Sequence, residues 1–159
     1  MKNRFRVILM AIVAVMLCGC EENTPEPSTF LEVTPNNIAG TWALESFDGV
    51  ALHEGNYVYI EFVRKDRTYK MFQNTDSAYT RVLTGKYNIY TDSEAGSIIR
   101  GNYDYGQGDW SARYIVTELT EERMCWAPLN DPSSICVYIR SDIPEDIYSA
   151  YVPDVEEEE

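Results

Sequence analysis

The strongest constraint on how this chain folds is a two-residue period in hydrophobicity. In "NYVYIEFV" (56–63), Val58, Ile60 and Phe62 alternate with Tyr and Glu residues, and "TYKMFQ" (68–73) alternates in a similar way. Successive side chains of a β-strand point to opposite faces of a sheet. This period therefore predicts strands that each have one buried face.

The two stretches fit a single antiparallel hairpin. A turn centred on residues 65–66 pairs Phe62 with Tyr69 on one face and Glu61 with Lys70 on the other. Both pairs are favourable cross-strand neighbours, and a shift of one residue would move every side chain to the wrong face. The sequence therefore predicts both the hairpin and its register.

Further short strands follow at similar spacing, separated by turn-forming stretches such as "TDSEAG", "DYGQGD" and "NDPSS". The predicted strands are 79–83, 86–90, 97–103, 110–119, 123–127 and 135–140. "TWALESF" from Thr41 adds a first strand, and the best helical pattern of the later chain is a turn or two near 143–151. We therefore predict an all-β fold, an antiparallel up-and-down β-barrel of about eight strands.

The start of the chain is organised for export. Lys2, Arg4 and Arg6 precede an uncharged apolar run over residues 7–17, and small residues follow. That order is typical of a secretory signal. The run has 11 residues, whereas a membrane-spanning helix needs about 20, so we expect no permanent transmembrane helix here.

The end of this signal, Leu17 to Cys20, resembles the lipobox of bacterial lipoproteins. The resemblance implies that Cys20 is linked to diacylglycerol and becomes the acylated N-terminus, which anchors the protein because two or more acyl chains hold stably in a bilayer. We expect a lipid-anchored protein of the Gram-negative outer membrane. Glu21 and Glu22 resemble the surface-export tag of some such lipoproteins, so the periplasmic face and the cell surface both stay open.

Composition divides the chain into four segments. We assign 1–19 to the lipoprotein signal peptide, 20–37 to a flexible linker rich in Pro, Thr, Asn and Glu, 38–141 to the barrel, and 142–159 to an acidic C-terminal tail. The mature length suits one domain with one core.

The chain is strongly acidic. Its formal net charge is −13, and loss of Lys2, Arg4 and Arg6 with the signal would leave −16. A chain with this charge repels nucleic acid. We therefore expect no nucleic-acid partner, and membrane attachment through the lipid alone.

Within the predicted barrel, "IAGTW" (38–42) resembles the G-x-W motif that opens lipocalins, and Arg140 in "VYIRSD" stands in the place of the Arg that closes their barrel base. Three weaker matches follow in order, at 59–62, 85–87 and 114–120. The chain is thus similar to bacterial lipocalin-like lipoproteins. The resemblance implies a lipocalin-like barrel in which Arg140 packs across Trp42, a cation–π contact worth about 0.5–2 kcal/mol.

Catalytic and metal-binding patterns are weak. His53 is the single histidine and lies in a predicted loop, and zinc sites need several His or Cys ligands. The acidic pairs Asp92/Glu94 and Asp104/Asp109 are interpreted as turns, since Asp favours turn conformations. We therefore expect no enzyme activity, no cofactor and no metal.

Cys125 and Cys136 flank the predicted loop "NDPSS" (130–134). If the loop joins a hairpin in which the numbers of paired residues sum to 261, the two cysteines lie opposite each other, so a cross-strand disulfide and a pair of free thiols both stay open.

Aromatic residues are abundant, with 12 Tyr, 5 Phe and 3 Trp. Two groups are candidates for contact with a ligand or partner: Tyr57, Tyr59 and Phe72 on the first hairpin, and Tyr103, Tyr105 and Trp110 around a Gly-rich loop. They could form a platform for a glycan or protein, or a rim around an apolar ligand, or reflect the ordinary preference of aromatics for strands.

Two functions remain. The first is a calyx that binds a small hydrophobic or amphipathic ligand, which requires an open, apolar interior of several hundred Å³. The second is a packed barrel that serves as a protein-interaction, glycan-binding or inhibitor module.

Overall fold

The computed structural model describes residues 30–151. The predicted signal peptide, Cys20, Glu21, Glu22 and residues 152–159 lie outside the described residues. The described strands are β1 (Gly40–Phe47), β2 (Val50–Ala51), β3 (Val58–Val63), β4 (Thr68–Gln73), β5 (Arg81–Asp92), β6 (Gly96–Tyr103), β7 (Tyr114–Thr117), β8 (Arg123–Pro128) and β9 (Cys136–Arg140). Two short helices are α1 (Pro35–Ile38) and α2 (Glu145–Tyr148). Neither is long and apolar enough to cross a membrane.

The sheet closes on itself. From β3 onward each strand pairs antiparallel with the next, and β9 returns to pair with β1, whose other neighbour is β3. The result is the predicted closed antiparallel β-barrel of eight strands, with β2 added as a short hairpin beyond the end of β1. Closure removes the unpaired strand edges through which sheets aggregate.

The alternating residues of the strands fill the barrel. The buried core contains Trp42, Ile60, Phe62, Tyr69, Tyr87, Ile99, Val116, Met124, Trp126 and Tyr138. Because the side-chain period of a strand is two, the residues between them point outward.

The hairpin of β3 and β4 has the predicted register. Phe62 faces Tyr69 and Glu61 faces Lys70. The Lys70 ammonium nitrogen lies 3.6 Å from a Glu61 carboxylate oxygen. The observed pairs therefore confirm the predicted register. Only one alignment satisfies both the core pair and the charge pair.

A single strand, β5, occupies the region in which two strands are predicted from the sequence. The expected break between 79–83 and 86–90 is wrong, because β5 runs without interruption through Gly85. Gly85 is not a turn residue here: a Cβ at this position would overlap the backbone carbonyl of Asn102 on β6. Glycine therefore allows β6 to approach closely.

Both flanks of the barrel are more ordered than predicted. Residues 30–37 were assigned to a flexible linker, yet the Leu31 N–H donates to the Leu119 carbonyl at 2.7 Å, and Thr34 caps α1 through a hydrogen bond from Asn37 at 3.2 Å. Ile38, the last residue of α1, is fully buried. The segment is held because its apolar residues cover one end of the core.

The C-terminal segment also contacts the barrel. Residues 142–151 were assigned to an acidic tail, but they contain α2, and the Tyr148 ring lies 5.4 Å from the Phe72 ring on the outer face of β4. The Lys70 nitrogen lies 4.4 Å from the centre of the Tyr151 ring. These aromatic contacts hold α2 against the hairpin of β3 and β4.

Candidate functional site

One end of the barrel is sealed by Trp42 and Arg140, as the sequence predicts. The guanidinium carbon of Arg140 lies 3.7 Å from the centre of the Trp42 ring. The guanidinium also donates to the backbone carbonyls of Asn37 at 2.8 Å and Glu121 at 3.2 Å, and to that of Ala39. Burial lowers the pKa of Arg140 from its usual value. All of these contacts tie together backbone segments, so their role is structural.

The interior beyond this seal is occupied by aromatic rings. Trp126 lies at their centre, with its ring 5.1 Å from that of Tyr138, 5.4 Å from Tyr114, 5.9 Å from Phe62 and 6.1 Å from Trp110. Such spacings are typical of packed aromatic pairs. The space in which a calyx would hold a ligand is filled here by side chains.

Space for a ligand lies instead on the outer wall, between β5, β6 and the segment that leads to β7. We call this cavity of about 500 Å³ the lateral cleft. Its lining residues are Lys86, Tyr87, Asn88, Arg100, Gly101, Asn102, Asp109, Trp110, Ser111, Ala112 and Arg113.

A local irregularity of the sheet forms the lateral cleft. Asn102 pairs with Asp109, and the next pair along is Ile99 with Tyr114. Residues 110–113 therefore stand opposite only residues 100 and 101, which makes a bulge. The prediction of one strand over 110–119 is thus wrong, because β7 begins after the bulge.

Trp110 anchors the bulge in the barrel wall. Its indole N–H donates to the Tyr69 hydroxyl at 2.8 Å. The ring passes directly over Gly101, where a Cβ would lie about 2.5 Å from an indole carbon. Burial raises the pKa of the Tyr69 hydroxyl to about 12. Trp110 thus belongs to the aromatic core and also lines the lateral cleft.

The lateral cleft is rich in positive charge. Lys86, Arg100 and Arg113 line it together with a single carboxylate, that of Asp109. Among residues 30–151, the ion pairs involve Lys70, Arg81 and Arg123, none of which lines this cleft. The three cations are therefore not neutralised by a direct ion pair within the described chain.

Tyr90 organises two of these cations from the neighbouring strand. The Arg113 guanidinium donates to the Tyr90 hydroxyl at 3.2 Å. The Arg100 guanidinium carbon lies 5.8 Å from the centre of the same ring. One tyrosine thus contacts both arginine head groups, which restricts the conformations that they can adopt.

A second cavity of about 410 Å³ adjoins the lateral cleft and shares Lys86, Asn102 and Asp109 with it. Tyr103 and Tyr105 line it, on the loop predicted to carry an aromatic group. The two acidic residues predicted to sit in a turn there, Asp104 and Asp109, also line it. The loop residues around 103–109 therefore extend the candidate site.

The two predicted aromatic groups do not form exposed platforms. Phe72 is fully buried beneath Tyr148. Tyr57 and Tyr59 pack against each other with ring centres 5.6 Å apart, and Tyr57 is hydrogen-bonded to Thr80. Strand alternation placed Phe72 outside the barrel but could not show that α2 covers it. Contact of the half-buried Tyr57 and Tyr59 with a ligand or partner stays a prediction.

In the second group the three aromatic residues have different environments. Trp110 and Tyr103 pack against the core, whereas Tyr105 is 75 % exposed. The three side chains do not share one exposed surface, but each lines one of the two adjoining cavities, so their contact with a ligand or partner stays a prediction.

The remaining chemical candidates lie apart from the cleft or serve local structure. His53 is exposed in the connection between β2 and β3. The Asp92 carboxylate accepts hydrogen bonds from the backbone N–H groups of Ala95 at 3.0 Å and Glu94 at 2.9 Å. These bonds lower its pKa, with a smaller contribution from the positive charge of Arg113. Within residues 30–151, no three His, Cys, Asp or Glu residues are grouped closely enough to hold a metal ion.

The cysteines are not bonded to each other. Trp126, not Cys125, lies opposite Cys136, so the two thiols point to opposite sides of the barrel wall and are free. The predicted alignment is off by one residue because the loop is held elsewhere: the Ile135 N–H donates to the Asp48 carboxylate at 2.7 Å. Burial and a hydrogen bond to Glu118 raise the pKa of Cys125 to about 11.

The basic residues of the cleft are not among the site residues predicted from the sequence. Lys86 and Asn88 alternate with the buried Tyr87, and Arg100 and Asn102 follow the buried Ile99 in the same way. Outward polar positions on two consecutive strands are a detectable signal. Arg113 gave no such signal, since its position depends on the bulge.

Comparison with known proteins bears on the fold. A family model described as "Lipocalin-like domain" matches residues 38–126, more than half of the chain. Among solved structures, the chain is similar to a lipocalin-like protein from Bacteroides uniformis ATCC 8492, with 12 % identity and a TM-score of 0.46, over 66 % of this chain and 99 % of the other. No curated protein matches.

Proposed function

The chain belongs to the lipocalin-like domain family, and we propose that this member is a lipid-anchored, non-catalytic binding protein of the Gram-negative envelope whose ligand occupies the lateral cleft. The observation that carries this proposal is the position of free space: aromatic rings fill the barrel around Trp126, and a cavity of about 500 Å³ opens on its outer wall. The barrel then acts as a rigid scaffold for the cleft.

The size and lining of the lateral cleft suit a polar ligand of modest size. Small-molecule sites commonly have volumes of about 300–1,000 Å³. The Asn88 amide and the Ser111 hydroxyl offer both hydrogen-bond donors and acceptors, and Trp110 adds an aromatic ring. The Asn102 amide adds N–H donors, while its oxygen accepts from the Lys86 backbone N–H at 3.2 Å. Hydroxyl groups around a small ring would satisfy this set, so we propose a short saccharide and favour the glycan-binding alternative.

A hydrophobic or amphipathic ligand inside the barrel receives less support. Such a ligand would have to displace Trp126 or its neighbours from contacts of 5.1–6.1 Å. Loss of packed aromatic contacts in a core costs several kcal/mol, which the ligand would have to offset.

The anchoring part of the proposal rests on Leu17 to Cys20 and its resemblance to a lipobox. Mass spectrometry of the protein from its own host would detect diacylglycerol and an acyl chain on Cys20, with residues 1–19 absent. The Cys20→Ala variant should carry no lipid and should leave the membrane fraction. An unmodified Cys20 would contradict lipid anchoring.

The site can be tested on the detergent-solubilised full chain with a glycan array and a fatty-acid panel. Binding to glycans with protection of residues 86–88 and 100–113 in hydrogen–deuterium exchange would support the cleft. Fatty-acid binding with protection around Trp126 and Tyr138 would contradict it in favour of a calyx. Trp110→Phe is a variant to compare with the parent protein in the same assays. It keeps an aromatic ring in the core and removes the indole N–H that donates to the Tyr69 hydroxyl.

A further inference from the structure

We propose that the lateral cleft selects an anionic saccharide, one that carries a carboxylate or sulfate group. This inference rests on the proposed function and adds to it the charge of the ligand. Lys86, Arg100 and Arg113 line the cleft with one carboxylate, that of Asp109. The cluster occurs in a chain whose formal net charge is −13, where any concentration of positive charge is unexpected.

The positive charge of the cleft is available to a ligand. Lys86, Arg100 and Arg113 are all exposed, and no ion pair of the described residues includes them. A concave site lined by charges of one sign concentrates the electric field and attracts a ligand of the opposite sign. An anionic group in the cleft would pair with cations that have no direct ion-pair partner among the described residues.

The arginines are held ready for this role. The Tyr90 hydroxyl accepts a hydrogen bond from Arg113, and the Tyr90 ring lies beneath Arg100. Arginine binds carboxylate and sulfate groups through two parallel N–H donors. Because Tyr90 already limits the movement of both head groups, less conformational entropy is lost when the anion binds.

The cleft is too large and too varied for a bare inorganic anion. Its volume of about 500 Å³ leaves room for one or more sugar rings beside the charged group. Asn88, Asn102 and Ser111 offer partners for hydroxyl groups, and the partly buried Trp110 offers a ring.

The experiment uses the full chain in detergent and an array that pairs charged glycans with neutral counterparts. Sulfated oligosaccharides stand beside their desulfated forms, and uronic-acid oligosaccharides beside their carboxyl-reduced forms. We expect the charged member of at least one pair to bind ten-fold or more tightly than its neutral counterpart. Calorimetry on that pair should show affinity that falls as salt rises from 50 to 200 mM, as expected for charge pairing.

Variants locate the effect. Arg100→Gln and Arg113→Gln should each weaken binding of the charged glycan about ten-fold, the loss expected for a charge-assisted hydrogen bond. The control is Lys65→Gln, which removes one positive charge on the exposed turn between β3 and β4, outside the cleft lining. It should leave affinity unchanged.

Three results would overturn the inference. Equal binding of charged and neutral partners, unaffected by the arginine variants, would reject charge selection and leave the cleft as a saccharide site. If inorganic sulfate displaced the charged glycan and bound with the same affinity, the cleft would be a site for small anions and would not recognise the sugar. Binding of no glycan of either kind, without protection of residues 100–113 in hydrogen exchange, would overturn the proposed function as well.

Discussion

The barrel interior and the lateral cleft are separated by one layer of backbone, and they differ in every physical respect. On β5, Tyr87 points inward and is 3 % exposed, while its neighbours Lys86 and Asn88 point outward into the cleft. The interior gains its free energy from burial of aromatic rings. The cleft instead leaves charged groups in water without direct ion-pair partners.

The difference teaches that one strand can serve folding with its inner residues and binding with its outer ones. Substitutions inside should change stability, and substitutions outside should change binding with little effect on stability. Tyr87, Gly101 and Trp110 are the exceptions, since they belong to the cleft lining and are part of the core or touch it. Five substitutions or conditions test this separation, from the largest expected effect to the smallest.

Trp126→Ala should have the largest effect. It removes the ring that contacts Phe62, Trp110, Tyr114 and Tyr138. We expect a loss of about 3–5 kcal/mol in the free energy of unfolding, because a large buried ring leaves a cavity. Urea unfolding measures it. Tyr79→Ala, at a position 81 % exposed, is the control and should change stability by less than about 0.5 kcal/mol; similar losses for both would refute a ring-packed core.

Arg140→Met should cost about 2–3 kcal/mol, since it removes the cation over Trp42 and the donors to the carbonyls of Asn37, Ala39 and Glu121. Thermal unfolding followed by circular dichroism would report the loss. Arg140→Lys keeps the positive charge but lacks the several N–H donors of the guanidinium. Its stability should fall between that of the parent and that of Arg140→Met. If the Arg140→Met variant were as stable as the parent, the charge and hydrogen bonds of Arg140 would contribute nothing to stability beyond side-chain packing.

Gly101→Ala should affect both regions at once. The added methyl group would collide with the Trp110 indole, and relief of that collision should cost about 1–3 kcal/mol. Tryptophan fluorescence should shift as the ring moves, and glycan affinity should fall with it. Gly49→Ala is a control for adding a methyl group, since a Cβ there meets no atom within 4 Å; its positive φ adds strain, but fluorescence should stay unchanged.

Alkaline pH should destabilise the fold through Cys125. Its pKa is raised from 9.0 to about 11, so the fold favours the neutral thiol. This contribution to stability is complete below pH 9 and is lost as pH rises to about 11. Unfolding temperatures measured from pH 8 to 11 should fall less steeply for Cys125→Ala than for the parent. If the unfolding temperatures of the two proteins fell equally with pH, the Cys125 thiol would have the same pKa in the folded and unfolded states, which would contradict the prediction.

Arg100→Gln should have the smallest effect on stability. Arg100 is exposed, and its one ring contact, with Tyr90, lies at 5.8 Å. We expect a change of less than about 0.5 kcal/mol in the free energy of unfolding, alongside the loss of glycan affinity predicted above. A large loss of stability would show that the cleft cations support the barrel, and the separation of roles would fail.

The accuracy of the sequence predictions differs between two hairpins for a physical reason. The register of β3 and β4 was predictable because a short turn and two kinds of pair, Phe62 with Tyr69 and Glu61 with Lys70, agree. The register of β8 and β9 was missed because a longer loop joins them and Asp48, distant in sequence, holds that loop at Ile135. Contacts with distant residues are invisible to local pattern analysis.

The same limit applies to the candidate site. The barrel and the Trp42–Arg140 contact could be predicted from alternation and from the resemblance. The lateral cleft could not, because it exists only where residues 110–113 bulge over Gly101 and bring Arg113 beside Arg100. Likewise, the burial of Phe72 depends on α2, which alternation within β4 does not report.

The hydrogen bond from Leu31 to Leu119 at the sealed end has a consequence for orientation. If Cys20 carries the lipid as proposed, the ten residues 21–30 are the whole tether between bilayer and barrel, and fully extended they reach at most about 35 Å. The Trp42 end of the barrel would then stay within about 35 Å of the bilayer surface.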